Sequence, residues 1–557
     1  MTEPGIVLNL CFCVNFSFPR VGAGGCGRYS GGLLPGNRLM KGNFLRNTSI
    51  VGAMTLLSRV TGMLRDMVYS RMFGAGPLMD AFIVAFKIPN FLRRITGEGA
   101  FSQAFVPVVN EYRVKRTHAE VDDLVSGVMG TLGWALFGVT AVGVIAAPVL
   151  VMLFAPGFEG AGGRSDLAAE MLRWTFPYIF FISLTALGSG VLNSYGRFGT
   201  AAFNPVILNV VMILFAACIA PRSSHPGTVL AIGVFVAGVL QLVAQFRGLK
   251  RLGLLSWPRW RYADAGVRRV ARLMLPGIFG SSVAQIAQLL DTWIASFFIT
   301  GSLTWMYYAV RLAEFPMGVF SIALATVILP GLSVHHAEES PQRFNGTLDW
   351  ALRLTSVISL PASVALFVLA GPLIATINGY GRFGSHDVLM SAYALMSNAA
   401  GLMGLSLVKV LLPGYTARQD TRTPVRIGMI ALSVAIGFDL VVVIPAAYFG
   451  APIPHAILAL SSGVGAYVNC WLLYRGLRRS GVYQPSDAWK RLGFQMVLAN
   501  GAMAAFLWWS AGDWAEWTQH AAWWRVGHLS AVVAGGSIVY ALALWVTGLR
   551  PRDLRPV

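Results

Sequence analysis

Charge is what this sequence most lacks. Asp, Glu, Lys and Arg make up 12% of its 557 residues, against roughly 25% in a soluble globular domain. So few charges could not cover a water-exposed surface at this length, which excludes a soluble globular protein. Cysteine is also scarce, at five residues, too few and too scattered for a disulfide framework. No Gly-x-x-x-x-Gly-Lys loop occurs, which argues against ATP-driven work by this chain alone. No catalytic constellation is apparent, and no long polar stretch remains for a separate soluble domain. Hydrophobic residues, by contrast, reach 55%. They recur in runs of about 20, the length that spans a bilayer as helix. The net charge of +19 sits in short loops and at helix ends, without the basic domain that nucleic acid requires.

The reading is therefore an all-α membrane protein with about fourteen transmembrane helices. The first seven spans fall near 47–71, 79–109, 124–156, 168–194, 201–220, 227–249 and 270–299. The other seven fall near 304–334, 347–377, 387–416, 425–449, 453–475, 491–511 and 525–547. Basic residues crowd alternate connections. Arg113, Lys115 and Arg116 follow the second span, Arg247 to Arg272 the sixth, Arg418 to Arg426 the tenth, and Arg475 to Arg491 the twelfth. The intervening loops hold little Lys or Arg, so both termini are expected in the cytoplasm. The Trp-rich connection from Trp508 to Trp524 reads as an interfacial belt. Residues 1–39 are Gly-rich and turn-rich, and are expected to be disordered or untranslated, with Met40 the true start. Gly22-Ala23-Gly24-Gly25-Cys26-Gly27 matches a dinucleotide fingerprint only on paper, because no βαβ unit surrounds it.

The spans repeat. Lys87 corresponds to Arg311, Pro107 to Pro330, Ala147-Pro148-Val149-Leu150 to Gly371-Pro372-Leu373-Ile374, and Tyr195 and Pro205 to Tyr415 and Pro424. The offsets lie between 219 and 224 residues. Six spans per unit is an even number, which gives two lobes of the same orientation around a pseudo-two-fold axis along the membrane normal. The expected organisation is an N-lobe over 40–250, a C-lobe over 251–480, and a helix pair with a basic tail over 481–557.

An ionisable group at mid-bilayer costs at least about 2.5–3.5 kcal/mol, yet the first two spans are rich in them. Arg59 and Asp66, seven apart, share a helical face, with Arg65 adjacent. Asp80, Lys87, Arg94 and Glu98 form one stripe, with Arg93 beside it and Pro89-Asn90 within it. Arg311 and Glu314 stand one turn apart in the eighth span. Snorkelling to the interface or neutralisation of Arg by Asp66, Asp80 and Glu98 would be the blander explanation. A wet cavity lined by Arg59, Lys87, Arg93, Arg94 and Arg311 accounts for more of the charges, and its guanidinium groups suit phosphate. The ligand inferred is a polyanion whose other part tolerates lipid. Asp291 and Asp439 stand alone in apolar sequence. They are either protonated structural acids or a monovalent-cation site that couples transport to an ion gradient.

Ser58-Arg59-Val60-x-Gly62-x-x-Arg65-Asp66, Phe73-Gly74-Ala75-Gly76-x-x-x-Asp80-Ala81-Phe82, Phe86-Lys87-Ile88-Pro89-Asn90-x-x-Arg93-Arg94 and Glu98-Gly99-Ala100-Phe101-Ser102-Gln103-Ala104-Phe105-Val106-Pro107 closely resemble the MurJ (MviN) family. These are the lipid II flippases of the bacterial inner membrane, within the multidrug/oligosaccharidyl-lipid/polysaccharide exporter superfamily. Arg311, Glu314 and Ala417-Arg418-Gln419-Asp420-Thr421-x-Thr423-Pro424 also fit, and the resemblance runs from Met40 onward. It implies two lobes that alternate access around a cationic cavity. The implied cargo is lipid II, undecaprenyl-pyrophosphate carrying a disaccharide-pentapeptide, moved in the company of membrane lipids and cell-wall synthesis machinery by a monomer. The functional charges so implied are Arg59, Arg65, Asp80, Lys87, Arg93, Arg94, Arg311 and Glu314. Asp66 and Glu98 are supporting charges. No cofactor is implied beyond Na⁺ or the membrane potential as driving force. The implied Na⁺ site includes Asp291 and Asp439, although Ala435 replaces an Asn ligand of some members. A cation-coupled drug exporter of the same superfamily is the alternative, but it would line its cavity with acids and aromatics. A membrane-embedded glycosyltransferase would need catalytic acids in outer loops, which here are short and largely uncharged.

Overall fold

A computed structural model describes residues 36–94, 100–159, 163–318, 322–550 and Asp553. It is helical, with no strand among the described residues. The N-lobe comprises α1 (Gly36–Phe73), α2 (Pro77–Arg93), α3 (Ala100–Lys115), α4 (His118–Ile145), α5 (Ala147–Phe154), α6 (Arg164–Thr175), α7 (Tyr178–Ser194), α8 (Phe198–Leu214) and α9 (Pro226–Lys250). The C-lobe follows as α10 (Ala265–Ala295), α11 (Ser302–Pro316), α12 (Ile322–Ala337), α13 (Pro341–Val368), α14 (Ala370–Ile377), α15 (Ser385–Thr416), α16 (Arg422–Phe438), α17 (Ile444–Tyr448) and α18 (Pro454–Arg479). The last pair is α19 (Ala488–Ala511) and α21 (Ala522–Val546), joined through the single turn α20 (Trp514–Trp517).

Among the described residues, the expected spans fall on one helix or on two consecutive ones. Ten stretches among the described residues are long and apolar enough to cross a membrane. Those outside the ten lie in α1, α2–α3, α10 and α11–α12, where the expected first, second, seventh and eighth spans sit. These are the spans that hold most of the charges singled out above. The chain is a multi-pass membrane protein. The expectation for 1–39 falls mostly on residues outside the described set. Helix α1 is described from Gly36 onward.

Local sequence sets the helix ends. Thr117 and Glu120 form a reciprocal capping box at α4, and Asp264 accepts from the backbone N–H of Gly266 and Val267 at α10 (2.8 and 3.1 Å). Asp420 accepts from Thr423 N–H at 3.0 Å before α16. That backbone bond holds its carboxyl below the usual carboxylate range.

The sequence repeat reappears as matched irregularities. Helices α4 and α5 break at Ala146, and α13 and α14 break at Leu369, 223 positions later. A π-helical turn at Phe215–Ile219 is matched by another at Asp439–Val443, 224 positions later. Such turns recur at functional sites. Within the C-lobe, α15 and α18 meet at Gly401 and Gly463. A Cβ at Gly401 would stand 2.6 Å from the Gly463 Cα, so only small residues permit this contact. Arg525 of α21 is buried and donates to the Ala375 and Gly379 carbonyls at 2.9 and 2.7 Å. It thereby fastens the helix pair to the end of α14. The Trp-rich connection divides in two: Trp508, Trp509 and Trp523 are exposed, whereas Trp517 is fully buried. Trp514 packs against Gly371.

Helix α10 is shared. Its first half packs on α3, where Arg269 pairs with Glu111 at 2.9 Å, and its last half reaches α11, α16 and α18. The segment before it is strapped to α4 by Arg259 N–H on the Ser126 carbonyl (3.1 Å) and by an Arg261–Asp123 ion pair (3.1 Å).

Candidate functional site between the lobes

Arg59, Arg65 and Asp66 of α1 and Asp80, Lys87 and Arg94 of α2 meet the C-lobe. Asp66 is the node. Arg65 donates to its Oδ1 from Nε at 3.0 Å and from Nη2 at 2.7 Å. Tyr307 of α11 adds its hydroxyl to the same oxygen at 3.0 Å. On the other oxygen, Arg311 of α11 brings its Nε to 3.3 Å. Asn209 of α8 accepts from Arg65 Nη1 at 3.0 Å and donates to the Ser58 carbonyl and the Thr61 hydroxyl, each at 3.1 Å. Arg65 and Asp66 are only 2% and 6% exposed, so they do not snorkel. One buried carboxylate thus holds a guanidinium from each lobe.

Asp80 has a different task. Its carboxylate accepts from Gly301 N–H (2.7 Å), Thr304 N–H (3.1 Å) and the Thr304 hydroxyl (2.6 Å). It caps α11 across the lobe boundary, where a negative charge suits the helix N-terminus. Gly301 adopts φ +98° to present its N–H. Arg164, 3.9 Å away and buried over the Phe158 ring, balances the carboxylate. Two backbone contacts close the same end of the bundle: Arg382 N–H on the Arg71 carbonyl and Gly157 N–H on the Ser296 hydroxyl, each 3.1 Å. Gly74, at φ +67°, lies so close that a Cβ would stand 2.7 Å from the Arg382 carbonyl oxygen.

Further along the stripe, Lys87 donates to the Thr292 hydroxyl, and Arg94 reaches Gln285 and Gln288, each at 3.3 Å. Pro89 lies inside α2, which continues to Arg93. Arg93 is buried and donates to the Asn90 side chain at 2.9 Å. Arg59 is half-buried against Gly318, where a Cβ would come within 2.1 Å of its Nη2. Glu314 acts electrostatically on Arg59, Arg311 and Lys409. Glu98 lies outside the described residues. Among the described residues cations outnumber acids at this seam, and Asp80 is already committed to a helix end.

Sequence reasoning missed several participants. Lys409 was legible as a lone base in the apolar tenth span. Asn209, Tyr307 and Thr304 were not, because nothing local distinguishes them from packed polar residues. Arg164 lies in a loop that reads as nearly uncharged.

Asp291 and Asp439 form a second group. Ser462 donates to Asp291 Oδ2 at 3.4 Å, and Asp439 acts electrostatically on Asp291. Asp439 is 3% exposed and its Oδ1 has no hydrogen-bond partner. Ser461 donates to the Ala435 carbonyl at 3.1 Å. Carboxylates, serine hydroxyls and a carbonyl beside a π-turn are a hard-oxygen set that fits a monovalent cation. Ala435 can offer its backbone oxygen although it lacks a side-chain ligand.

The match to known proteins is extensive. The family model described as "Lipid II flippase MurJ" covers residues 69–527. The chain belongs to the MurJ family. A Burkholderia cenocepacia lipid II flippase is 42% identical over 514 residues, covering 91% of this chain and 98% of that protein. A Haemophilus influenzae relative under the same family name is 41% identical over 514 residues, covering 90% and 99%. The solved structure of a lipid II flippase MurJ in an inward closed conformation superposes with a TM-score of 0.74 at 23% identity, covering 90% and 99%. An inward-facing multidrug transporter of the MATE family gives 0.60 at 14%, covering 76% and 95%. At those identities the two structures establish the fold alone. MurJ membership makes the chain a transporter rather than an enzyme.

Because Asp80 supplies a charged acceptor to three donors across the lobes, Asp80→Asn is expected to loosen this end. Hydrogen bonds to charged groups contribute about 1.5–3 kcal/mol each. The expected outcome is a lower thermal midpoint and faster thiol labelling of a cysteine introduced at Gly76. Unchanged midpoint and labelling would remove Asp80 from lobe closure.

Proposed function

We propose that the chain moves lipid II from the cytoplasmic to the periplasmic leaflet of the bacterial inner membrane by alternating access of its two lobes. The observation that carries this reading is the excess of guanidinium groups where the lobes meet, around a single shared carboxylate. A pyrophosphate offers the charge and the paired oxygens that Arg311 and its neighbours Arg59, Arg93 and Arg94 can bind, while Arg65 holds Asp66 in place. Lys87 and Lys409 add point charge, and Glu314 keeps the group from repelling itself apart. The polyprenyl tail stays in lipid while rocking of the lobes carries the headgroup across. The Asp80 cap is the contact that one of the two access states must break. Driving force comes from a monovalent cation at Asp291 and Asp439 or from the membrane potential. A drug exporter for organic cations is not favoured, since such cargo would meet repulsion at this seam.

On this reading both termini are cytoplasmic and the Asp80 end is periplasmic. A cysteine within 510–524 is then labelled from outside intact cells, and one within 250–266 is not; the reverse pattern contradicts the orientation.

The cargo assignment is tested by replacing Arg59, Arg94 and Arg311 singly by Ala and by Lys. Each Ala variant is expected to lose lipid II flipping and complementation at normal protein levels. Each Lys variant is expected to recover only part, because an ammonium keeps the charge but loses the planar two-point grip. Full activity in the Ala variants would remove these cations from the mechanism.

A further inference from the structure

The repeat that relates the lobes also relates two charge pairs across their boundary. Asp66 in α1 faces Arg311 in α11, 3.3 Å away. The position equivalent to Arg311 in the N-lobe is Lys87, and the acid equivalent to Asp66 in the C-lobe is Asp291, offsets of 224 and 225. Lys87 accordingly crosses to the C-lobe and donates to Thr292, the neighbour of Asp291, and lies within electrostatic reach of Asp291 itself. The two crossings are not chemically equal. The first is a guanidinium held in an ion pair. The second is an ammonium seated on a hydroxyl beside a carboxylate, with no direct Lys87–Asp291 ion pair within 4 Å among the described residues. Beyond Asp291 waits Asp439, almost wholly buried, with one carboxylate oxygen bonded to nothing.

An unpartnered buried oxygen next to a second acid calls for a cation. An ammonium is a compact, strongly hydrated point charge on a flexible stem, close in demand to a hydrated alkali ion.

We propose that Lys87 is a tethered cation that stands in for an exchangeable monovalent cation at the Asp291–Asp439 pair, so that seating of the lysine and binding of the ion exclude one another. This deepens the cation-coupled reading of the preceding section and rests on it. An ion between the two acids neutralises the field that draws Lys87 across, and its own charge repels the ammonium. Arg94, which also acts electrostatically on Lys87, adds to the push. Since Lys87 belongs to α2 and Asp291 to α10, ion entry releases one tie between the lobes on the same stripe that carries the Asp80 cap. The ion therefore acts on lobe separation directly, and no path through the C-lobe is required. The pairing also gives Lys87 a role distinct from that of the cargo-facing arginines.

The test is thermal unfolding of the purified full-length protein, titrated with NaCl against choline chloride at constant ionic strength. Lys87→Gln removes the competitor and is expected to lower the Na⁺ midpoint at least about tenfold. Adding Asp291→Asn or Asp439→Asn to that variant is expected to abolish the Na⁺-specific shift. Lys87→Arg keeps a competing charge and is expected to hold the midpoint at or above that of the unaltered protein, which provides a second reading should the Gln variant fold poorly. If the acid variants lose the Na⁺ response while Lys87→Gln leaves the midpoint unchanged, the site stands and the exchange is overturned. If neither the unaltered protein nor Lys87→Gln shows a Na⁺-specific shift, the cation site and the exchange fail together.

Discussion

One buried carboxylate where the lobes meet holds two guanidinium groups from opposite lobes, and much of the arrangement follows from it. A charge at this depth is costly, and a buried ion pair recovers its desolvation cost only with good geometry and further hydrogen bonds. Asp66 meets that condition through Arg65, Arg311 and the Tyr307 hydroxyl, while Asn209 occupies the remaining face of Arg65. Those groups come from three separate helices. Their convergence fixes the register of α1, α8 and α11, and thereby the way the lobes meet. The same carboxylate leaves the cations in excess, which prepares the seam for an anionic guest.

The Asp80 cap solves a different problem with similar means. Helix α11 begins at the lobe boundary, and its first N–H groups would be orphaned in a dry interface. A carboxylate from the other lobe satisfies them, so the start of a C-lobe helix is completed only when the lobes are closed at that end. Lobe separation must expose those groups to water, which suits a contact meant to open. The closely packed glycines at 74 and 301 make this approach possible.

Much of this was legible in the sequence, and unevenly. Apolar runs marked the spans, because a helix crossing lipid must be apolar along its length. The repeat was legible from scattered prolines and charges, and the breaks at Ala146 and Leu369 and the π-turns at 215 and 439 follow the same offset. The charged stripe of α2 was readable from helical spacing, which shows that residues share a face. Spacing does not say what the face meets. Asp80 and Lys87 were therefore grouped as one stripe, whereas Asp80 caps a helix and Lys87 reaches toward Asp291. Tyr307 and Asn209 gave no signal, since their roles arise only when distant segments converge. The Trp-rich connection misled in part, because composition does not distinguish the buried Trp517 from the exposed Trp523.

The central claim is that positive charge between the lobes grips the pyrophosphate of a lipid-linked cargo. The most direct measurement compares, in proteoliposomes of the unaltered protein, the translocation of labelled lipid II with that of an analogue whose pyrophosphate is replaced by a neutral linker of equal length. Translocation of lipid II alone is the expected result. Equal rates for the neutral analogue would contradict the claim.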